Sequence, residues 1–295
     1  IICLLNWGKR NEFRSYLQQI LFNVTSLSLR GAKFAAELIA DGFSVNPELE
    51  LKVVDRLLGW NPCADLFATF SSPNPIETLA LLSDRVMVRG KLIEYFRSPS
   101  CNKALLEILK LVLRKLDVAE LKKIADSSQT GWVRVDVALS MSDHGCAEEA
   151  MKILRAIALD NTCTREARQR SIQGLYDMKD RDFLKSILRK KGLPEFLRGY
   201  AYLLAYQVDR NPTCLDRAID TWRSNSDLRG EGSYTILLLE VLAASGKVDT
   251  IIAMVSEGNY GLVSELEHIL KIDLPEIRSR LVAFLVTLLR DVSIR

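Results

Sequence analysis

The stretch Ser142-Asp143-His144-Gly145-Cys146 places a hydroxyl, a carboxylate, an imidazole and a thiol within five positions. Nucleophilic sites are built from these groups: a thiol or hydroxyl attacks, an imidazole takes its proton, and an acid orients the imidazole. Such a site needs side chains that converge in space, whereas neighbours along a tight turn point in different directions. Gly145 supplies the backbone angle that ends a helix. Asp143 or Cys146 is placed to begin the next, with Glu148 and Glu149 in its first turn, where the helix dipole favours acids. The stretch therefore reads as a turn between two helices.

Other chemistry is sparse. No phosphate loop of the form GxxxxGK[ST] occurs, because Gly8-Lys9, Gly90-Lys91 and Gly246-Lys247 lack the preceding glycine, and GxSxG, HExxH and GxGxxG are absent. The cysteines at 3, 63, 101, 146, 163 and 214 form no CxxC pair, and His144 and His268 are too few for the usual zinc patterns. Scattered cysteines on apolar helices read as reduced core thiols of a cytosolic protein. Trp7, Trp60, Trp132 and Trp222 read as packing anchors. The expectation is a non-enzymatic cytoplasmic chain with no catalytic residue, no cofactor and no metal.

The elements that would position any site are helical. Apolar residues recur three and four apart almost throughout, and alternating strand patterns are missing. In the segment 104–116, Leu105, Ile108, Leu109, Val112, Leu113 and Leu116 share one broad face. Breaker and capping residues punctuate the chain at 98–102, 126–131, 190–194, 210–213 and 257–261. Hydrophobic residues at 48% and charged residues at 26% place the 295 residues among ordinary folded proteins. The longest apolar stretches, 235–244 and 281–289, fall short of the roughly 18–20 residues of a membrane span. The opening IICLLNW, with no initiator Met, basic segment or cleavage pattern, reads as the middle of a helix in a fragment of a longer protein. The sequon Asn23-Val24-Thr25 is a chance match.

Four stretches share a grammar: 133–154, 167–188, 197–222 and 234–255. Each has an apolar first helix containing small residues (Ala138, Gly174, Ala201, Ala205, Ala243, Ala244), a short polar turn, and an amphipathic second helix. The turns fall near 144, 180, 211 and 247, about one helical hairpin per 20–50-residue repeat, which is the pattern of an α-solenoid. A hairpin has two apolar faces and cannot cover both, so it stacks on its neighbours. The fold class expected is all-α, a solenoid of stacked antiparallel helical hairpins. Residues 1–126 form an irregular helical part and 127–295 the repeats, in one continuous array.

These stretches resemble HEAT-like repeats. Val133-Arg134 leading to Ala138-Leu139, and Arg168 to Arg170 leading to Ile172 and Leu175, follow the pattern V-R-x-x-A-x-x-A-L. Asp143 and Asp180 fall at the turn acid, whereas the third and fourth units depart, with Gly199-Tyr200 and a Leu run. The segment 30–58, RGAKFAAELIADGFSVNPELELKVVDRLL, is similar to the helical stretches that follow the core of bacterial STAND NTPases of the NACHT type. That resemblance implies the ligand-sensing end of a signalling or defence switch, and it carries over no individual residue.

Charge is uneven. Residues 84–125 hold ten Lys/Arg against five Asp/Glu, 163–192 nine against four, and 213–276 five against eleven. Different fields along one chain serve different partners. The first expectation is a protein-interaction or scaffold module with a protein partner and no membrane. The alternative is nucleic-acid binding through a basic concave face, with Arg114, Lys122, Arg168, Arg170, Lys185 and Arg189 as phosphate or partner contacts.

Overall fold

The computed structural model describes residues 19, 29–59, 75–99, 101, 105–229, 232–257, 265–267, 270–271 and 275–292. The opening segment with Cys3, Trp7 and Gly8-Lys9, the Asn23 sequon, Trp60, Cys63 and His268 lie outside them. Among the described residues there are sixteen helices and no strand, so the chain is all-α. None of these helices is long and apolar enough to cross a membrane.

The chain forms two compact units that divide after Ala167. The change of sequence regularity near 126 lies inside the first. That unit contains α1 (Leu29–Ala40), α2 (Pro47–Leu58), α3 (Pro75–Leu82), α4 (Val86–Arg97), α5 (Leu106–Leu113), α6 (Val118–Ser127), α7 (Gly131–Asp143) and α8 (Ala147–Leu159). Local chemistry fixes several starts. Asn46 Oδ1 accepts from the Leu49 amide at 2.8 Å with Pro47 at the first helical position of α2. Asp117 and Glu120 cap α6 reciprocally, at 2.8 and 3.0 Å. The apolar face expected in 104–116 is buried at all six positions.

Packing in this unit has two rows. α1 packs on α3, α3 on α5 and α5 on α7, while α2 packs on α4 and α4 on α6. The rows are joined through pairs such as α1 with α2, α4 with α5, α6 with α7 and α7 with α8. The apolar residues enclosed between them include Leu49, Val53, Leu92, Ile108, Leu109, Val135 and Leu154, all essentially inaccessible to water. Each such Leu or Ile contributes about 1.5–3 kcal/mol on burial. Two acids are buried with them, Glu50 and Asp136, and Glu50 is matched by Arg85 Nε at 2.7 Å.

Helix α9 (Arg165–Asp177) runs across the division, and the second unit continues with α10 (Arg181–Arg189), α11 (Glu195–Asp209), α12 (Pro212–Ser224), α13 (Ser226–Arg229), α14 (Gly232–Ala244), α15 (Val248–Ser256) and α16 (Pro275–Val292). Here α11 packs on α10, α12 and α14, and α15 packs on α14 and α16. Trp222 and Tyr234 are the bulkiest members of its core, and both are fully buried.

Four helix-to-helix turns have the same hydrogen-bond pattern. The amides of Phe43, Cys146, Asp180 and Lys247 donate to the carbonyls five residues back, and those of Gly42, Gly145, Lys179 and Gly246 to the carbonyls three residues back. This double bond closes a helix with one left-handed residue, normally glycine. Three of the four use it, but Lys179 occupies the fourth at φ 61°. Arg210, at φ 52°, ends α11 in the same left-handed region. Their Cβ atoms are strained there, so Lys179→Gly is expected to raise stability by about 0.5–1 kcal/mol after the greater unfolded-chain entropy of glycine is subtracted. A urea titration of the two proteins measures it.

Candidate functional site

The stretch 142–146 is the hand-over from α7 to α8. His144 is the residue that closes α7, Gly145 is left-handed at φ 81°, and Cys146 precedes α8 without capping it through its side chain. The His144 ring, exposed to solvent, bonds through Nδ1 to the Ser140 carbonyl of its own helix at 2.7 Å. The imidazole is therefore tied back along α7, and Asp143 is exposed as the last residue of that helix. Of the two turn acids Asp143 and Asp180, it is Asp180 that caps the following helix, its Oδ1 accepting from the Phe183 amide at 3.3 Å. Among the described residues no three His, Cys, Asp or Glu side chains are grouped to hold a metal ion.

The thiols give a second measure of reactivity. Burial pushes the Cys101 thiol up to about 12. The attacking species is the thiolate, whose share at neutral pH falls about tenfold per unit of increase. Because a thiolate of higher pKa is also the stronger nucleophile, Cys101 is expected to react with iodoacetamide roughly thirtyfold more slowly than an ordinary cysteine. Peptide mapping after timed alkylation reads this directly. Burial also raises Cys214, with Asp209 adding to the shift.

The six basic residues singled out from sequence are divided between the units. Arg114 is exposed just beyond α5, and Lys122 is exposed on α6, where its Nζ lies 3.4 Å from Glu149. Glu149 is held below the usual carboxylate range by a backbone hydrogen bond first and by Lys122 second. A phosphate at Lys122 would compete with that carboxylate. In the second unit, Arg168 is 5% exposed, and its guanidinium lies over the Phe196 ring at 5.9 Å. Arg170 follows two positions on, which places it on another side of α9. Lys185 and Arg189 are both exposed and share a face of α10, four residues apart; Lys185 pairs with Asp209 at 3.3 Å. The fold thus brings Lys185 and Arg189 together and turns Arg168 inward.

A groove that sequence reasoning did not single out lies in the second unit. One cavity of about 390 Å³ is lined by Tyr176, Asp177, Lys179, Arg181, Gln207 and Val208. A second, of about 300 Å³, is lined by Tyr176, Gln207, Arg210, Glu240, Val241 and Ala244. They share Tyr176 and Gln207 and lie in file at the C-terminal ends of α9, α11 and α14. A third, of about 400 Å³, begins at Ala243 and Ala244 and continues to Pro275, Ile277 and Arg280 at the start of α16. The readable signal was Lys179 and Arg210, basic residues where neighbouring repeats place Gly145 and Gly246.

No protein-family model, curated protein or solved structure matches the chain.

Proposed function

We propose that the chain is a non-enzymatic protein-interaction module built of HEAT-like helical hairpins stacked in file, working in the cytosol as the sensing or scaffolding part of a larger STAND-type switch. The observation that carries this reading is the two-row packing of the first unit, where the first helices α1, α3, α5 and α7 lie each on the next and the second helices α2, α4 and α6 do the same. Stacking of that kind buries the inner faces and leaves the outer ends of every hairpin as continuous surface. The repeated closing turn at Gly42, Gly145, Lys179 and Gly246 supports the same grammar. Surfaces of this type bind proteins by area and fit, without a reacting centre.

The test is affinity capture from native extract with the whole chain as bait, followed by titration of the recovered component with purified chain. A protein that forms a stoichiometric complex supports the reading. Recovery of nucleic acid alone overturns it.

Nucleic-acid binding is the second reading, favoured by the exposed pair Lys185 and Arg189 with Lys190 and Lys191 directly after them. Arg168, stacked on Phe196, weakens it. Phosphate contacts of this kind weaken steeply with salt. A gel-shift series with duplex DNA that shows no binding even at low salt removes this reading.

A further inference from the structure

We propose that the groove across the C-terminal ends of α9, α11 and α14 binds an extended acidic segment of a partner protein. The inference rests on the interaction-module reading and gives that partner a chemistry. Its length is the first argument. Two cavities in file, joined at Tyr176 and Gln207, make a slot that suits an extended chain better than a compact ligand.

Charge is the second. Lys179, Arg181 and Arg210 line the slot and are exposed. Elsewhere in this unit, Lys185, Arg223, Lys247 and Arg280 are each engaged by a carboxylate, whereas Arg189, Lys190 and Lys191 at the end of α10 stand outside any cavity of the slot. Lys179, Arg181 and Arg210 are in no ion pair among the described residues. Arg210 is held in place instead by the Tyr206 ring, 5.6 Å from its guanidinium carbon, and the Tyr206 hydroxyl is in turn bonded to Ser245 Oγ at 2.8 Å. The cation is pre-positioned, which reduces the ordering cost of binding.

Backbone strain is the third. Lys179 and Arg210 are the two non-glycine residues with left-handed backbone among the described residues, both are basic, and both line this slot. The turns at Gly42, Gly145 and Gly246, which share the hydrogen-bond pattern of the Lys179 turn, use glycine and avoid the strain. Strain of this kind concentrates at binding sites, where the side chain is worth more than the conformation costs.

Two carboxylates, Asp177 and Glu240, also line the slot, and Asp177 accepts from Gln173 Nε2 at 2.9 Å. They decide between partner classes. A nucleic-acid strand carries a charge at every nucleotide and would set phosphates against both acids. An extended peptide directs side chains of one face about 7 Å apart, so acidic positions can meet the cations and neutral ones the carboxylates. Gln207 stands at the middle of the slot with a donor and an acceptor, the complement of a peptide group.

The test uses the whole chain and a fluorescein-labelled decapeptide of alternating Glu and Ser, followed by anisotropy. Lys179→Glu with Arg210→Glu is expected to weaken binding about a hundredfold, about tenfold for each lost charge-assisted contact. Lys190→Glu with Lys191→Glu, the same change of charge outside the slot, is expected to leave it within about twofold. Lys179→Gly separates binding from folding: affinity falls about tenfold while the melting temperature does not fall. Unchanged affinity in the 179/210 variant overturns the proposal. So does an equal loss in the 190/191 variant, or stronger displacement by a ten-nucleotide thymidine strand than by unlabelled peptide. A chain that still forms a protein complex undisturbed by saturating peptide overturns the groove and leaves the interaction-module reading standing.

Discussion

Trp222→Ala is expected to lower the stability of the second unit by about 3–5 kcal/mol, the range for removing a large buried aromatic. The indole is fully buried among residues that include Leu203, Leu238 and Leu242, and no exposed edge allows the surroundings to collapse cheaply. It also anchors a polar relay. Trp222 Nε1–H donates to Thr235 Oγ1 at 3.2 Å, and the Thr235 hydroxyl donates to the Leu228 carbonyl at 3.2 Å. The relay ties α12, α13 and α14 together at a place where apolar contact alone would leave three polar atoms without partners. Thr235→Val isolates the polar component: it keeps the volume but strands the indole N–H, at about 1–3 kcal/mol. Urea midpoints followed by far-ultraviolet circular dichroism rank the variants. A loss below about 1 kcal/mol for Trp222→Ala would contradict the burial described.

Much of the helical frame was legible in the sequence because helices declare themselves locally. The apolar period in 104–116 named a buried face residue by residue, and capping chemistry marked breaks near 128, 190 and 211. The turn at 142–146 was legible for the same reason, since Gly145 ends α7 by its own backbone preference. What local pattern cannot state is which cations already have partners. Lys122 and Lys185 read from sequence as open phosphate contacts, but Glu149 lies 27 positions from the first and Asp209 is 24 from the second. Arg168 reads as a surface cation and is stacked on Phe196, 28 residues away. Long-range pairing removes such residues from the free surface without a trace in composition.

The same logic explains the slot at α9, α11 and α14. In the sequence, Lys179 and Arg210 fall beside the turns near 180 and 211 and carry no nucleophile that would single them out. The left-handed backbone of Lys179 becomes informative only beside Gly145 and Gly246, which close the same hydrogen-bonded turn without strain, and Arg210 adopts it where α11 ends. A residue that fills a glycine position at a cost of about 1 kcal/mol is better explained by what its side chain does than by the turn it makes.

Gly199 teaches the converse lesson, and its substitution is the second large effect expected. In sequence it is a departure from the repeat pattern in the middle of α11, where glycine costs about 0.5–1 kcal/mol relative to alanine. In the fold it is buried, and a Cβ there would lie 2.8 Å from Tyr234 Oη, 3.1 Å from Thr221 Cγ2 and 3.2 Å from Tyr234 Cζ. The tyrosine cannot retreat freely, because its hydroxyl donates to the Ala218 carbonyl at 3.1 Å and its ring is fully buried. Gly199→Ala is expected to cost about 1–3 kcal/mol and Gly199→Val about 3 kcal/mol or more, by overpacking between α11, α12 and α14. The cause can be separated from helix propensity, which favours alanine. Tyr234→Phe removes the crowding oxygen, so it should cost about 1 kcal/mol in the parent and little or nothing beside Gly199→Ala. A double-mutant cycle with no coupling between the two sites would mean that the helices are not held at this close approach, and the contact would then be incidental to the packing of the unit.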